Sequence, residues 1–353
     1  MTRCSASALC FVLIGISLAT LLLNIDYDRS MRFVAEPKGP WDGPAFRRHL
    51  SMAKRPSKVA KWANEVEDLP YPSVNLSSVE ETLRRRGAEI EDNCRRTLSL
   101  AELERPPNSK EFLISERFNL VWCNIFKAAS STWLYNFLLM AGFSQEELKK
   151  SGSSPVELAR KEAYARPTPD ELLAALGNPE TTSFLIVRDP FQRLLSAYRD
   201  KIESTAQKYY RALRCQIQPP AGRHKKTTRD CQPTFPEFVD YLLEERAKGR
   251  PPNEHWAPYH AFCSPCQVHL DYVLRLESLP EEEAFLIETV AGLSNVLQPC
   301  KLHSSHTDYI AVTKHYFSQL SQEKLRRLYD IYKPDFDIFG YDETPYFDGG
   351  KGS

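Results

Sequence analysis

Two segments about sixty residues apart combine the residue types that hold anions. The first, Phe126-Lys-Ala-Ala-Ser-Ser-Thr-Trp133, offers one lysine and three hydroxyls among small residues. Charge-assisted donors of this kind suit phosphate or sulfate oxygens. The glycines of a GxxxxGK[ST] loop are missing and no metal-holding partner is evident, which disfavours a nucleotide kinase or hydrolase. Taken alone, the segment reads equally well as a helix start capped by its own Ser and Thr residues. The second, VRDPFQRLLSAYRDK from Val187 to Lys201, places Arg188 before a proline and Ser196 eight residues later. An arginine fork with a serine on the next helix can grip another phosphate. The bland alternative is that Asp189 and Arg193 cap and decorate an exposed helix. Together the two segments suggest a nucleotide carrying phosphates at its 3′ and 5′ ends.

A third segment, Asn253-Glu-His-Trp256, holds His255. Imidazole titrates near ~6.5, which suits general-base work, with Glu254 as the next candidate. A histidine that only hydrogen-bonds locally, or that helps seat an acceptor, fits the same residues.

These side chains need elements to hold them. Leu120–Phe126 is an almost unbroken apolar run, as expected for a strand covered on both faces. Leu134, Phe137, Leu138 and Ala141 then keep helical spacing, and Gly142 suits the helix end. Strand, small-residue loop and helix in that order aim backbone N–H groups at whatever anion occupies the loop. The pattern recurs: a short helix at 170–176, a strand at Ser183–Val187, and a long helix with Phe191, Leu194, Leu195, Tyr198 and Ile202 on one face. Gln192, Ser196 and Arg199 share the opposite face. A further strand is expected at 272–276, and helices at 236–245, 280–291 and 321–332. This alternation predicts an α/β fold: a P-loop-like parallel sheet flanked by helices, with ligands at the carboxyl ends of its strands.

The chain has 353 residues and a formal net charge of zero, so no global field recruits nucleic acid or membrane. Ala8 to Ile25 carries no charge and is about as long as the ~17–25 residues that cross a bilayer. A signal anchor is expected there rather than a cleaved signal peptide, whose apolar core is usually ~7–15 residues. By the positive-inside rule the bulk of the chain faces the lumen. The expected organisation is a cytoplasmic tail at 1–7, a transmembrane helix at 8–25, a lumenal stem at 26–108, a catalytic domain at 109–345 and a tail at 346–353. Six prolines between Pro37 and Pro72 argue against a packed stem, and order is expected to begin near Glu111. A charged helix at 80–96 within the stem reads as a solvated face. Asn75-Leu-Ser77 is the N-glycosylation sequon, which makes Asn75 a candidate acceptor.

Of the nine cysteines, Cys4 and Cys10 lie in or beside the apolar run, and seven remain. An odd number leaves at least one to stay free or to link two copies, which permits a homodimer. Cys263-Ser-Pro-Cys266 has no companion CxxC and no spaced histidine pair, so disulfides are expected and no metal. Between Cys215 and Cys231 lies a basic stretch, Arg223 to Arg229, that could meet an acidic polysaccharide or be a solvated loop.

The ordered set of motifs resembles the Golgi carbohydrate sulfotransferases, a family that includes the chondroitin and dermatan 4-O-, GalNAc 4-O- and natural-killer-epitope glucuronyl 3-O-sulfotransferases. The resemblance runs from Val121 to about Tyr341. It rests on the Lys127–Trp133 loop, VRDPFQRLLSAYRDK, FPEFVDYL at 235–242, NEHW at 253–256, CSPC at 263–266 and YKPDFDIFGY at 332–341. It implies an enzyme that uses 3′-phosphoadenosine 5′-phosphosulfate (PAPS) as sulfuryl donor, without a metal, and a glycan as acceptor. Lys127, Ala128, Ala129, Ser130, Ser131, Thr132 and Trp133 would then bind the 5′-phosphosulfate, and Arg188 with Ser196 the 3′-phosphate. Lys127 and His255 would be catalytic, the acceptor a GalNAc 4-hydroxyl in chondroitin- or dermatan-type chains, and the location the Golgi membrane. The chain departs from the family pattern at Phe126, where proline is usual, at Leu134 and Tyr135, where basic residues are common, and in Val273-Leu-Arg-Leu-Glu277. A glycan-binding or scaffolding protein on the same fold, without transfer activity, is the second reading these departures leave open.

Overall fold

A computed structural model describes residues 66–68, 74–204, 207–218, 231–298, 300–302 and 309–347. The apolar run at 8–25 and the basic stretch at 223–229 lie outside the described residues. Among the described residues no helix is long and apolar enough to cross a membrane.

The strands are β1 (Val66–Asp68), β2 (Phe112–Ser115), β3 (Leu120–Cys123), β4 (Thr182–Val187), β5 (Tyr272–Arg275) and β6 (Cys300–Leu302). The helices of two turns or more are α1 (Leu76–Thr97), α2 (Ser130–Met140), α3 (Pro169–Leu176), α4 (Pro190–Ala197), α5 (Lys208–Ile217), α6 (Phe235–Ala247), α7 (Leu279–Thr289), α8 (Tyr309–Phe317) and α9 (Gln322–Phe339). A four-stranded sheet in the order β2-β3-β4-β5 forms the centre, and β1 pairs with β6 in a separate antiparallel ribbon. β3, β4 and β5 run parallel, with Val121 beside Ser183 and Leu185 beside Val273.

The edge strand β2 is antiparallel to β3, so the sheet is mixed rather than wholly parallel. The turn between them is too short for a crossover and closes through Asn119, whose φ of 44° a small polar side chain tolerates. All four residues of β3 are buried, as expected for a central strand. Trp122 on β3 meets Phe184 on β4 at 6.2 Å and Phe137 on α2 at 5.4 Å, so one aromatic layer ties α2 to the sheet.

Two sequence expectations about helices need correction. Order does not wait until Glu111: α1 spans part of the segment read as stem and buries Leu83, Ile90 and Cys94 along one face. Arg86, almost fully covered, bonds both Glu282 oxygens at 2.9 and 3.0 Å and the Val273 carbonyl at 2.6 Å. A Cys94–Cys266 disulfide fastens the end of the same helix. The charged residues counted in the sequence are α1's outward face, and its narrow apolar stripe faces the sheet domain. The last long helix also does not stop before its proline: α9 continues through Pro334 to Gly340, whose left-handed φ of 62° ends it. Beyond it, Tyr346 donates from its hydroxyl to Asp189 Oδ1 at 2.6 Å, so residue 346 packs on the domain.

The CSPC cysteines pair outward rather than with each other: Cys263 joins Cys123 on β3, and Cys266 joins Cys94 on α1. Cys215 and Cys231 close the basic stretch.

Candidate functional site

β3 ends at Cys123, and the chain then turns through Asn124 to Ala129 before α2 begins. Lys127 and Ala129 have φ values of 73° and 55°, the left-handed region that glycine favours. Each costs roughly 1–2 kcal/mol for an L-residue. The absent glycines therefore do not prevent a tight loop, because surrounding packing holds the strained backbone. Alternating backbone hands of this kind turn successive N–H groups toward one side, a concavity suited to an anion.

The N-cap of α2 is Ala129, and it makes no side-chain cap bond. Elsewhere the same chain caps fully: Thr168 with Glu171 at α3, and Thr234 with Glu237 at α6. The reading of Ser130 to Thr132 as a self-capped helix start is thus not what the structure shows. An uncapped amino terminus leaves N–H groups and the positive end of the helix dipole for an outside anion.

Lys127 faces a cavity of ≈ 290 Å³ that Gln192, Leu195, Ser196, Arg199, Asp200 and Ser204 also line. The first and second anion-holding segments therefore meet in one space. Ser196 lies on the cavity wall, whereas Arg188, 5% exposed, is not among the lining residues. Tyr259 donates its hydroxyl to the Arg188 carbonyl, and the charge of Arg188 bears on Lys127. Of the remaining loop residues, Ser130 and Ser131 are half-buried, Ala128 and Thr132 are buried, and Trp133 is fully enclosed. Trp133 packs edge-on to Phe184 at 4.6 Å and belongs to the core beneath the loop.

Asp200 and Lys201 carry no role in the sequence reading, yet they shape the electrostatics. Lys127 Nζ lies 3.1 Å and Lys201 Nζ 3.2 Å from Asp200 Oδ2. Burial lowers the Lys127 pKa and Asp200 opposes that shift, while Lys201 and Arg188 add to it. They reach the site because the helix after Ala197 continues as a π-helix over Tyr198–Glu203, with i to i+5 bonds such as Ser204 N to Arg199 O at 3.0 Å. No signal of apolar spacing marks that change of pitch. Both residues do stand inside the quoted motif.

Arg193 is a staple rather than surface decoration. It is 0% exposed, and its guanidinium donates to the carbonyls of Phe126 (2.9 Å), Ala257 (2.8 Å) and Glu254 (3.3 Å). One side chain thus fixes the loop before Lys127 and the segment around His255. Asp189 does cap α4, accepting from the N–H groups of Phe191 and Gln192, both at 2.9 Å.

His255 lies against the same loop, its ring stacked on Phe126 at 4.6 Å. Its Nδ1 is 2.9 Å from the Tyr210 hydroxyl and 3.0 Å from Asn253 Oδ1. Burial, reinforced by Lys201 and Lys127, lowers its pKa to about 2, so the ring is neutral. Burial raises the pKa of Glu254 beside it. Phe126, where the resembled family has proline, therefore serves as the floor under His255. Leu134 and Tyr135 are buried in α2. Among the described residues no cluster of His, Cys, Asp and Glu could hold a metal ion.

Residues 110–342 match the model described as the sulfotransferase family. The chain is 28% identical to carbohydrate sulfotransferase 11 of Mus musculus, over 96% of this chain and 95% of that protein. It is 26% identical to carbohydrate sulfotransferase 11 of Rattus norvegicus over the same shares. To carbohydrate sulfotransferase 8 of Homo sapiens it is 28% identical, over 86% of this chain and 74% of that protein. No solved structure matches the chain.

Proposed function

The chain belongs to the sulfotransferase family and is an enzyme, a carbohydrate sulfotransferase, and from that premise we propose that it takes its sulfuryl group from PAPS. The observation that carries this reading is the shared cavity: Lys127, beneath an uncapped helix terminus, and Ser196, on the following motif, line one space. A doubly phosphorylated nucleotide needs two such grips, and the residues present fit it. The N–H groups of residues 128–132 and Lys127 would hold the 5′ end, and Ser196 with Arg188 the 3′-phosphate. When bound, the donor supplies a sulfuryl group whose bond to phosphate oxygen breaks as the bond to an acceptor hydroxyl forms.

The chain's own groups divide the remaining work. Lys127 offers a positive charge where negative charge accumulates. His255 serves as base for the acceptor hydroxyl. With Nδ1 engaged by Tyr210 and Asn253, Nε2 is the nitrogen left to take the proton. An anion placed beside Lys127 and Lys201 offsets two of the charges that hold the His255 pKa down, so donor binding favours that proton transfer.

The acceptor we propose is the 4-hydroxyl of GalNAc in chondroitin- or dermatan-type chains. The enzyme would act as a single-pass Golgi protein with its anchor at 8–25, its domain at 109–345 in the lumen and a glycan on Asn75. Asn75 is exposed and caps α1 through Oδ1, which leaves Nδ2 free for a glycan without loss of the cap.

The test combines binding and transfer. Calorimetry with the desulfated product nucleotide, PAP, should show binding that Lys127→Ala abolishes. Labelled sulfate from PAPS should reach one of desulfated chondroitin, desulfated dermatan, heparosan or GalNAc-terminated N-glycans, with disaccharide analysis locating the hydroxyl. Absence of PAP binding would refute the donor assignment. His255→Ala should keep PAP affinity and lose turnover; normal turnover would remove the base assignment.

A further inference from the structure

Arg188 and Asp189 form the turn between β4 and α4, and the end of the chain braces that turn by two routes. Directly, the Tyr346 hydroxyl donates to Asp189 Oδ1 at 2.6 Å, the oxygen that also accepts from the Phe191 and Gln192 N–H groups at the start of α4. Indirectly, the Tyr341 hydroxyl donates to Glu277 Oε2 at 3.1 Å, and the other oxygen of that carboxylate accepts from the Asp189 N–H at 2.9 Å. Tyr341 is itself held in place. The Arg275 guanidinium lies 4.7 Å from its ring centroid and donates to the Phe339 carbonyl at 2.6 Å.

The ring of Tyr346 is anchored separately from its hydroxyl. It meets Phe191 at 4.9 Å, Phe317 at 5.2 Å and Phe336 at 6.3 Å, an aromatic socket that phenylalanine would fill as well. The hydroxyl reaches instead a carboxylate that is 8% exposed, where a charge-assisted bond is stronger than a neutral one. Burial and Asp189 raise the pKa of that hydroxyl and the charge of Arg188 opposes them, so Arg188 and Tyr346 share one electrostatic neighbourhood. Residue 346 lies past the family match, which ends at 342, and the transfer reaction above gives its hydroxyl no part.

We infer that Tyr346 is a positioning residue for recognition of the 3′-phosphate. Its hydroxyl, with Tyr341 acting through Glu277, fixes the Arg188–Asp189 turn. That turn sets the direction of the Arg188 fork and the start of the helix that carries Ser196. A guanidinium grips a phosphate through directed N–H bonds, so a small shift of its backbone weakens that grip and leaves the 5′ end untouched. The ligand favoured is a nucleotide with a 3′-phosphate over one without. This role rests on the 3′-phosphate reading of Arg188 and Ser196 above.

Calorimetry on the full chain with PAP and with 5′-AMP, which lacks the 3′-phosphate, reads the effect. Tyr346→Phe keeps the ring in its socket and should stay folded, with a thermal transition close to wild type. Its PAP affinity should fall about fivefold, while 5′-AMP affinity stays the same. In turnover, the PAPS KM should rise by the same factor with kcat and acceptor KM unchanged. Tyr341→Phe, one step further from Arg188, should move the ratio of PAP to 5′-AMP affinity in the same direction by less. Should Tyr346→Phe not fold, the ratio in Tyr341→Phe decides alone. An unchanged ratio overturns the role, and so does an equal fall for both nucleotides, which marks general loosening. If the wild-type enzyme binds PAP no better than 5′-AMP, the 3′-phosphate reading fails and this role with it. If the wild type discriminates and the variants discriminate equally well, only this role falls.

Discussion

Lys127 Nζ stands 3.1 Å from Asp200 Oδ2, so the lysine of the first anion-holding segment is paired with a carboxylate at the end of the second. Burial alone would raise the Asp200 pKa, but Lys127 and Lys201 together lower it to about 2, and it is ionised at neutral and mildly acidic pH. An anionic ligand at Lys127 shares that lysine with a fixed negative charge. Asp200→Asn keeps the shape and removes the repulsion, so PAP should bind roughly three- to tenfold more tightly by calorimetry. Weaker binding in this variant would mean that Asp200 positions Lys127 rather than competing for it.

Arg193 gives the sharpest stability prediction. Its planar fork serves three carbonyls at once, and lysine cannot span them from one nitrogen. Arg193→Ala should cost roughly 2–5 kcal/mol, since each carbonyl left without a donor is expensive. Arg193→Lys should fold with a lower Tm and bind PAP more weakly, because the loop before Lys127 loses its tether. Thermal unfolding and calorimetry on both variants decide this. A wild-type Tm for Arg193→Ala would refute the staple.

His255 should make the domain acid-sensitive. Its folded pKa of about 2 lies far below the ordinary value of ~6.5, chiefly through burial. Below pH ~6.5 the unfolded chain takes up a proton that the folded site refuses, so stability falls as pH drops from there toward 2. The slope approaches about 1.4 kcal/mol per pH unit for one proton. His255→Asn should flatten the fall in Tm between pH 6.5 and 4.5, whatever its effect at neutral pH. An unchanged slope would show that the imidazole is not held neutral.

Much of this site is legible in the sequence because its backbone logic is local. The apolar run before Phe126, the helix spacing after it, and Arg188 at the end of β4 all follow from adjacent residues, and the structure shows that strand, loop and helix. What the sequence hides is contact across distance or a change of pitch. Arg193 reads as a surface arginine until α4 is packed between two loops, and Asp200 has no role to read until the π-turn brings it to Lys127. The packing of α1 hides for another reason: three buried side chains in 22 residues leave too thin a stripe to stand out among its charges. β2 is four residues long, and its pairing depends on the turn at Asn119. Its antiparallel register cannot be read from composition.

Glu283 supplies the opposite pH dependence to His255. It is buried on α7 with Oε1 unpartnered, and burial raises its pKa to about 8, against ~4.3 for glutamate in an unfolded chain. The folded state keeps a proton that the unfolded state has released, so this group's contribution is full below pH ~4.3 and is lost as pH rises to about 8. As pH rises above about 6.5 the His255 imidazole becomes neutral in the unfolded chain as well, so its opposing slope fades while that of Glu283 persists. Glu283→Gln removes the titration and keeps the volume. Its Tm should match or trail the wild type near pH 5 and exceed it by a margin that widens toward pH 8. Parallel Tm curves for the two proteins across that range would mean that the Glu283 carboxyl is ionised in the folded enzyme, with a partner supplying its charge balance.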